Sequence, residues 1–194
     1  MNYEDILNKY LSNNKRIAHS ISTGMFMRQY ADIAGVDPEI AYITGILHDL
    51  AKELPNDEMI RLSTVMRDRN LYKIDYFDYK TANPTLLHGV AATEILYSEL
   101  NIKDIEILEA IAHHTTGGAN LSMLSKFAFM ADFIEPLREY KDSAKIRSIF
   151  TSERNFQKSL FLSYLSLLKN LIEKKRNICV ESVEGYNESL INIM

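Results

Sequence analysis

The sequence predicts an all-α domain of roughly seven to nine helices. Apolar residues recur at spacings of three and four along most of the chain, and little of it alternates as a strand would. The seven glycines and four prolines are few, and they fall between the helical patterns. A chain of 194 residues is long enough to bury a core, and it corresponds to one domain or to one domain with a tail.

Capping residues and helix breakers predict the first helices. Three are expected in the first part of the chain, over residues 3–11, 13 or 14 to about 34, and 38–54. The second begins at a cap on Asn13 or Asn14 and ends at Gly35. Asp37-Pro38 is a cap followed by proline at the first helical position, and Pro55 ends the helix that this pair begins.

The same signals recur in the rest of the chain. Further helices are expected over 56–70, from 84 beyond 96, over 105–115 and 123–135, and as one or two long helices over 143–174. Caps on Asn83, Asp104 and Ser122 begin three of them. The tyrosine- and aspartate-rich segment 71–82 is expected to be an irregular loop, and residues 175–194 a tail or a closing segment.

Composition excludes several classes of protein. A net charge of −4 gives no general attraction to nucleic acid or to anionic membranes. The single cysteine, Cys179, allows neither an internal disulfide nor a cluster of thiolate ligands, and it fits a reducing compartment. No apolar run is long enough to span a membrane, and the N-terminal residues do not resemble a signal peptide. We therefore expect a cytoplasmic protein that binds neither nucleic acid nor membranes.

A histidine and an aspartate stand side by side in the apolar run Gly45-Ile-Leu-His48-Asp49-Leu-Ala-Lys52. Burying such groups without partners costs about 1–3 kcal/mol each, and a metal ion would satisfy both. Asp132 has a similar apolar setting. Each histidine of the chain lies in or beside an apolar helical face, and the five are His19, His48, His88, His113 and His114. Imidazole and carboxylate together suit iron, manganese or zinc.

The two adjacent histidines differ in their helical positions. His114 follows Ile107 and Ile111 at helical spacing, so it lies on the core face. His113 is rotated by about 100° from it, toward Glu106 and Glu109. A single helical histidine is more often structural than catalytic. The whole set, distributed over several helices, favours a metal site.

These residues resemble the HD-domain metal-dependent phosphohydrolase superfamily, and longer strings resemble its YqeK branch, the symmetrical bis(5'-nucleosyl)-tetraphosphatases. The strings are Arg16-Ile-Ala-His19, Gly45-Ile-Leu-His48-Asp49-Leu-Ala-Lys52-Glu53-Leu54-Pro55, Leu87-His88-Gly89, His114-Thr-Thr-Gly117 and Ala131-Asp132-Phe-Ile-Glu135-Pro136-Leu-Arg138. The resemblance implies a single HD domain over 1–194, with a motif core at about 15–140, a C-terminal helical segment at 143–174 and a tail or closing segment at 175–194.

The resemblance also implies roles for individual residues. The implied ligands of the principal metal are His19, His48, Asp49 and Asp132. His88 and His114 would bind a second metal or contact phosphate. The implied catalytic residues are Asp49, Lys52, His88 and His114, and the implied substrate-binding residues are Arg16, Lys52, His88, His114 and Arg138. One or two iron ions are expected, with manganese or zinc as alternatives.

Some of these residues also have simpler interpretations. Arg16, Lys52 and Arg138 could be solvated surface charges, although a polyphosphate needs such counter-charge. Glu135 could end its helix or hold a ligand histidine in place.

The implied activity is symmetrical hydrolysis of diadenosine tetraphosphate to two ADP by metal-activated water. The partners would then be the nucleotide substrate and the ADP product, and exposed faces of residues 143–174 could pair in a homodimer. Two alternatives stay open. One is an HD phosphohydrolase acting on nucleoside monophosphates or other phosphorylated metabolites. The other is a non-catalytic helical module that senses nucleotides.

Overall fold

The computed structural model describes residues 2–74, 80 and 83–194. These residues form helices, turns and loops with no strand, which confirms the predicted all-α fold class. The α-helices are α1 (Tyr3–Tyr10), α2 (Asn14–Gln29), α3 (Ala31–Ala34), α4 (Pro38–Leu47), α5 (Asn56–Arg69), α6 (His88–Ser98), α7 (Ile105–His113), α8 (Met123–Ile134), α9 (Ser143–Ser152), α10 (Phe156–Glu173) and α11 (Val180–Ile191). A 3-10 helix, Pro84–Leu87, precedes α6.

The described residues contain eleven α-helices, slightly more than the roughly seven to nine expected. The helix expected to reach residue 34 breaks at Tyr30, where φ is −116° and ψ is 18°, so α3 is a separate single turn. It ends at Gly35, whose φ of 67° favours glycine. Residues 143–174 form two helices. Most of the expected tail forms α11, which packs against α10.

Predicted caps occupy the starts of the helices. Side-chain oxygens of Asn13, Asp37, Asp104 and Ser122 accept hydrogen bonds from backbone N–H groups in the first turns of α2, α4, α7 and α8. Asn83 does the same for the 3-10 helix. Since a cap satisfies N–H groups that have no partner within the helix, these local signals predicted the helix starts well.

The helix ends near the histidines differ from the prediction. The helix expected to continue to residue 54 ends at Leu47, and residues 48–53 form consecutive turns. In these turns Leu50 N–H donates to Leu47 O and Lys52 N–H donates to Asp49 O. Such i→i+3 bonds wind the chain more tightly than an α-helix, so the angular positions expected from α-helical spacing do not apply to residues 48–52. Similarly, α7 ends at His113 instead of residue 115.

A close approach of α2 and α4 positions the first histidines. A Cβ added at Gly45 would lie 2.8 Å from the Cα of Gly24, so the two helices touch backbone to backbone. This contact brings His19 of α2 beside His48 at the end of α4. The core continues through α6, α7 and α8, whose inward residues are almost all inaccessible to solvent.

Of the loop expected at 71–82, residues 75–79, 81 and 82 lie outside the described residues; 71–74 are non-helical and Lys80 has helical backbone. No helix within the described ranges is both long enough and apolar enough to cross a lipid bilayer.

Candidate metal centre

Helix ends and helix interiors bring the predicted ligands to one place. His19 and Asp132 lie within α2 and α8, His48 and Asp49 directly follow α4, His88 begins α6 and His114 directly follows α7. The four histidines and Asp49 are buried, while the side chain of Asp132 stays 21% exposed. The structure thus gathers all six residues.

Three of these histidines are held by a carbonyl oxygen three residues earlier. The Nδ1–O distances are 2.6 Å for His48 and Gly45, 2.6 Å for His88 and Thr85, and 2.7 Å for His114 and Ile111. A carbonyl oxygen only accepts, so each Nδ1 carries the proton and each Nε2 keeps a lone pair. This i−3 pattern at a helix end is the signal by which sequence reasoning could have found these carbonyls.

His19 is held by a carboxylate instead. Its Nδ1 lies 3.0 Å from Oε1 of Glu135, a fully buried residue. The other oxygen of Glu135 accepts hydrogen bonds from the hydroxyl of Ser22 and, at 2.7 Å, from the N–H of Leu137. Glu135 therefore contacts His19 as well as ending its helix, and Ser22 is a part of this arrangement that the sequence did not indicate.

The four Nε2 atoms point at one another. The Nε2 atoms of His19 and His48 are 3.1 Å apart, and those of His88 and His114 are 3.0 Å apart. When the proton is on Nδ1, two such nitrogens face each other with lone pairs, which is unfavourable unless a proton or a cation lies between them.

The two aspartates complete the cluster. Oδ1 of Asp132 lies 2.8 Å from Nε2 of His19 and 3.5 Å from that of His48. Oδ1 of Asp49 lies 3.0 Å from Nε2 of His88 and 3.4 Å from that of His114.

These contacts form two overlapping groups of possible ligands that share His48. One contains His19, His48 and Asp132, the other His48, Asp49 and His114, and in each the ligand atoms lie within 4.8 Å of one another. Such a cluster can hold one ion or two.

An unsatisfied oxygen tests whether this donor set fits a metal. Oδ1 of Asp49 is buried and accepts no hydrogen bond from the described residues, and the nearest cation is the ammonium of Lys52 at 3.3 Å. His88 is near enough but offers it no proton, because its N–H is directed to Thr85. A buried oxygen beside nitrogen lone pairs fits a divalent cation, and this mixed nitrogen and oxygen set suits iron, manganese or zinc.

Burial and charge set the protonation states here. Burial is the main cause that lowers the pKa of His114 to about 4, and it also lowers that of His88, so both are neutral at pH 7. Burial alone would raise the pKa of Asp49, but its interactions with the neighbouring His48 and Lys52 hold it well below its usual range. Asp132 is likewise ionised, since Arg138 outweighs its burial.

The pKa of His19 is raised instead of lowered. Burial would lower its pKa, but Asp132 and Glu135 outweigh that effect and raise it to about 9. The two carboxylates thus attract positive charge to this position, which a proton or a bound cation can supply.

Lys52 and Arg138 touch the cluster directly. Nζ of Lys52 lies 2.8 Å from Nε2 of His88 and 3.3 Å from Oδ1 of Asp49. The guanidinium of Arg138 pairs with Asp132 and lies 3.0 Å from Nε2 of His19. Arg16 instead faces Glu53 at 3.3 Å and is partly exposed, although it lines the same cavity.

The cluster opens into a cavity of about 420 Å³. Lys15, Arg16, Lys52 and Arg138 give this cavity a cationic lining. The lining also includes an aromatic wall that sequence reasoning missed, because nothing local marks it. In this wall Phe133 and Tyr140 stack at 5.3 Å between ring centroids with 9° between planes. The cavity therefore joins a metal-ligating centre to groups that suit a phosphorylated aromatic compound.

The chain is similar to several known proteins. The HD domain family matches residues 16–149. The chain is 30% identical over 176 residues to the symmetrical bis(5'-nucleosyl)-tetraphosphatase of Halalkalibacterium halodurans, covering 91% of this chain and 89% of that protein. It is 27% identical over 173 residues to the protein of that name from Bacillus subtilis, covering 89% of this chain and 88% of that protein.

A solved structure is also similar. It is the crystal structure of a predicted HD superfamily hydrolase involved in NAD metabolism from Clostridium acetobutylicum. The TM-score is 0.85 and the identity 32%, over 98% of this chain and 96% of that one.

Proposed function

This chain belongs to the HD domain family, and from that premise we propose that it hydrolyses diadenosine tetraphosphate symmetrically to two ADP. The observation that carries the proposal is the buried cluster of four imidazole Nε2 atoms and two ionised carboxylates beside a cationic cavity. Such a cluster needs a cation, and such a cavity suits an anion. The names of the relatives supply the substrate.

The proposed metal ligands are His19, His48, Asp49 and Asp132, with His88 and His114 completing a second position or contacting phosphate. We propose iron as the ion, which the imidazole-rich donor set suits, with manganese and zinc as alternatives. The bound ion would polarise phosphoryl oxygens and lower the pKa of water toward about 7.

The lysine and arginine side chains that line the cavity would bind the phosphates of the substrate. Lys52 is one-third exposed beside the cluster, where its ammonium can neutralise a phosphate oxygen. Arg16 and Arg138 can offer the guanidinium fork to other phosphates of the chain. Cleavage adds one water across the central P–O–P bridge, so the oxygen that departs carries negative charge. We propose that Lys52, which lies beside Asp49 and His88, offsets that charge.

Product analysis tests this proposal. The protein is purified anaerobically with iron and incubated with diadenosine tetraphosphate, and the products are separated by anion-exchange chromatography. ADP as the single product supports the proposal, whereas AMP with ATP would show asymmetric cleavage. With no cleavage, assays on nucleoside monophosphates would distinguish another phosphohydrolase from a non-catalytic nucleotide sensor.

A further inference from the structure

We infer that a second cavity beside the metal centre holds the second nucleoside of the dinucleoside polyphosphate, an inference that rests on the proposed function. This cavity measures about 470 Å³. It lies between the 3-10 helix, α10 and the segment that leads into α11. None of the residues to which the resemblance assigns a catalytic, substrate-binding or metal-binding role lines it.

The two cavities share two lining residues, and one of them contacts the ligand cluster. Thr115 and Leu167 line both of them. The hydroxyl of Thr115 lies 3.0 Å from Nε2 of His114 and 3.4 Å from Nε2 of His88. A chain of phosphates bound at the cluster can therefore extend from the first cavity past Thr115 into the second.

The lining of the second cavity suits a nucleobase and its ribose. Leu86, Leu167 and Leu171 supply apolar surface for the faces of an aromatic ring. Asn83 also lines the cavity. Its side-chain oxygen accepts a hydrogen bond from the backbone N–H of Thr85, and its amide nitrogen has no partner among the described residues. An amide group is well suited to the hydrogen-bonding edge of adenine.

Arg176 adds a charge at the rim. It is exposed, and it forms no ion pair with any residue that the structure describes. A guanidinium at this position can bind a phosphate oxygen or stack on a base. The second cavity thus combines apolar walls, an amide and a cation, which is the set of groups that a nucleotide half requires.

The sizes of the cavities fit a symmetrical substrate. Both fall within the roughly 300–1,000 Å³ typical of small-molecule sites. If one nucleoside lies in the first cavity, against Phe133 and Tyr140, the other lies beyond Thr115 and Leu167. The ligand cluster then faces the middle of the phosphate chain, which accounts for cleavage into equal halves.

The test fills the second cavity with a larger side chain. Leu171→Trp adds an indole to a half-buried position of α10, and Leu165→Trp is the matched control, since Leu165 is half-buried on the same helix but lines a different cavity. KM is measured for diadenosine tetraphosphate and for adenosine 5'-tetraphosphate, which lacks the second nucleoside. We expect Leu171→Trp to raise the ratio of these KM values by at least about tenfold, and the control to leave the ratio unchanged.

Binding gives an independent measurement. By calorimetry with ADP, the iron-loaded wild type and the Leu165→Trp variant should each bind two equivalents, and the Leu171→Trp variant one. Arg176→Glu, at an exposed position that should not disturb folding, is expected to raise the same KM ratio. It provides the test if the tryptophan variant does not fold, as judged by circular dichroism.

The outcomes separate the two proposals. A wild type that releases ADP alone, with an unchanged KM ratio in both Leu171→Trp and Arg176→Glu, overturns the second nucleoside site and leaves the proposed function intact. Equal loss of activity on both substrates also overturns it, because the change would then act at the shared metal centre. A wild type that does not cleave diadenosine tetraphosphate overturns both.

Discussion

Nε2 of His19 lies 3.1 Å from Nε2 of His48, although the two residues are 29 positions apart in the chain. The first is in the middle of α2 and the second directly follows α4. Their approach depends on Gly24 and Gly45, at which the two helices touch. The metal centre therefore depends on helix packing as much as on its ligands.

Replacing Gly45 with alanine should damage both stability and metal binding. The new Cβ would lie 2.8 Å from Cα and 2.9 Å from N of Gly24, and backbone cannot give way as a flexible side chain does. We expect a loss of about 1–3 kcal/mol in the free energy of unfolding, measured with denaturant, and a lower iron content. Gly118→Ala is the control, because its Cβ would meet only the Leu121 side chain at 3.3 Å. Equal stability of the two variants would contradict the prediction.

Asp49→Asn should remove metal and turnover together. The amide is almost isosteric, but it lacks the charge that offsets a cation in this buried place. We expect iron content, measured by elemental analysis, and hydrolysis of diadenosine tetraphosphate both to fall by at least about tenfold, with helicity retained. Asp57→Asn, at an exposed position in the first turn of α5, serves as the control. Normal hydrolysis by Asp49→Asn would refute the assignment of Asp49.

Glu135→Gln should weaken metal binding, although Glu135 is not itself a proposed metal ligand. The amide can no longer accept hydrogen bonds through both oxygens from His19, Ser22 and Leu137. Loss of such a partner typically reduces metal affinity by about 10–100-fold, and we expect a reduction in this range. Metal titration with a competing chelator measures it. Ser22→Ala, which removes one of these hydrogen bonds, should have a smaller effect, and an unchanged affinity in Glu135→Gln would exclude this role.

Lys52→Gln should lower the rate of hydrolysis more than the metal content. Lys52 touches His88 and Asp49 but, as a cation, does not bind the metal ion. Removing a charge that stabilises a departing phosphate oxygen typically costs about 10²–10³ in kcat. Steady-state kinetics and elemental analysis on the same sample measure the two effects. The control is Lys126→Gln, because the ammonium of Lys126 pairs with Glu188 and not with a residue of the ligand cluster. Parallel loss of metal and rate would instead indicate that Lys52 supports the ligands.

The folded protein should lose stability at low pH, partly because the carboxylate of Glu94 becomes protonated. Burial would raise the pKa of Glu94, but its hydrogen bonds with Arg69 and Ser98 outweigh this and lower the pKa below the usual 4.5. A carboxylate with a lower pKa in the folded state contributes stability that is present above pH 4.5 and is lost as the pH falls through the folded value.

The variant Glu94→Gln tests this pH dependence. Its melting temperature should be lower than that of the wild type near pH 7, and the difference should shrink as the pH falls below 4.5. Glu106→Gln, exposed in the first turn of α7, is the control. A difference that stays constant from pH 7 to pH 3 would refute the role of Glu94.

The sequence by itself determined the fold class, most helix starts and the identity of the clustered residues. Caps such as Asp37 and Asp104 act on N–H groups two or three residues away, so they can be recognised locally. The same holds for His114, which directly follows α7, because its spacing from Ile107 and Ile111 predicts that it points inward. A buried His-Asp pair needs partners wherever it lies in the fold, which is why it predicted a site.

Only the tertiary structure decided how these residues meet. Glu135 contacts His19 across 116 positions, and Tyr164 of α10 hydrogen-bonds Gly118 at 2.9 Å across 46. The end of α4 at Leu47 and the second cavity bounded by α10 and α11 were also beyond local reasoning. Caps and periodicity act over about one turn of helix, whereas these contacts depend on how whole helices pack, and packing is decided by the shapes of all the side chains at once.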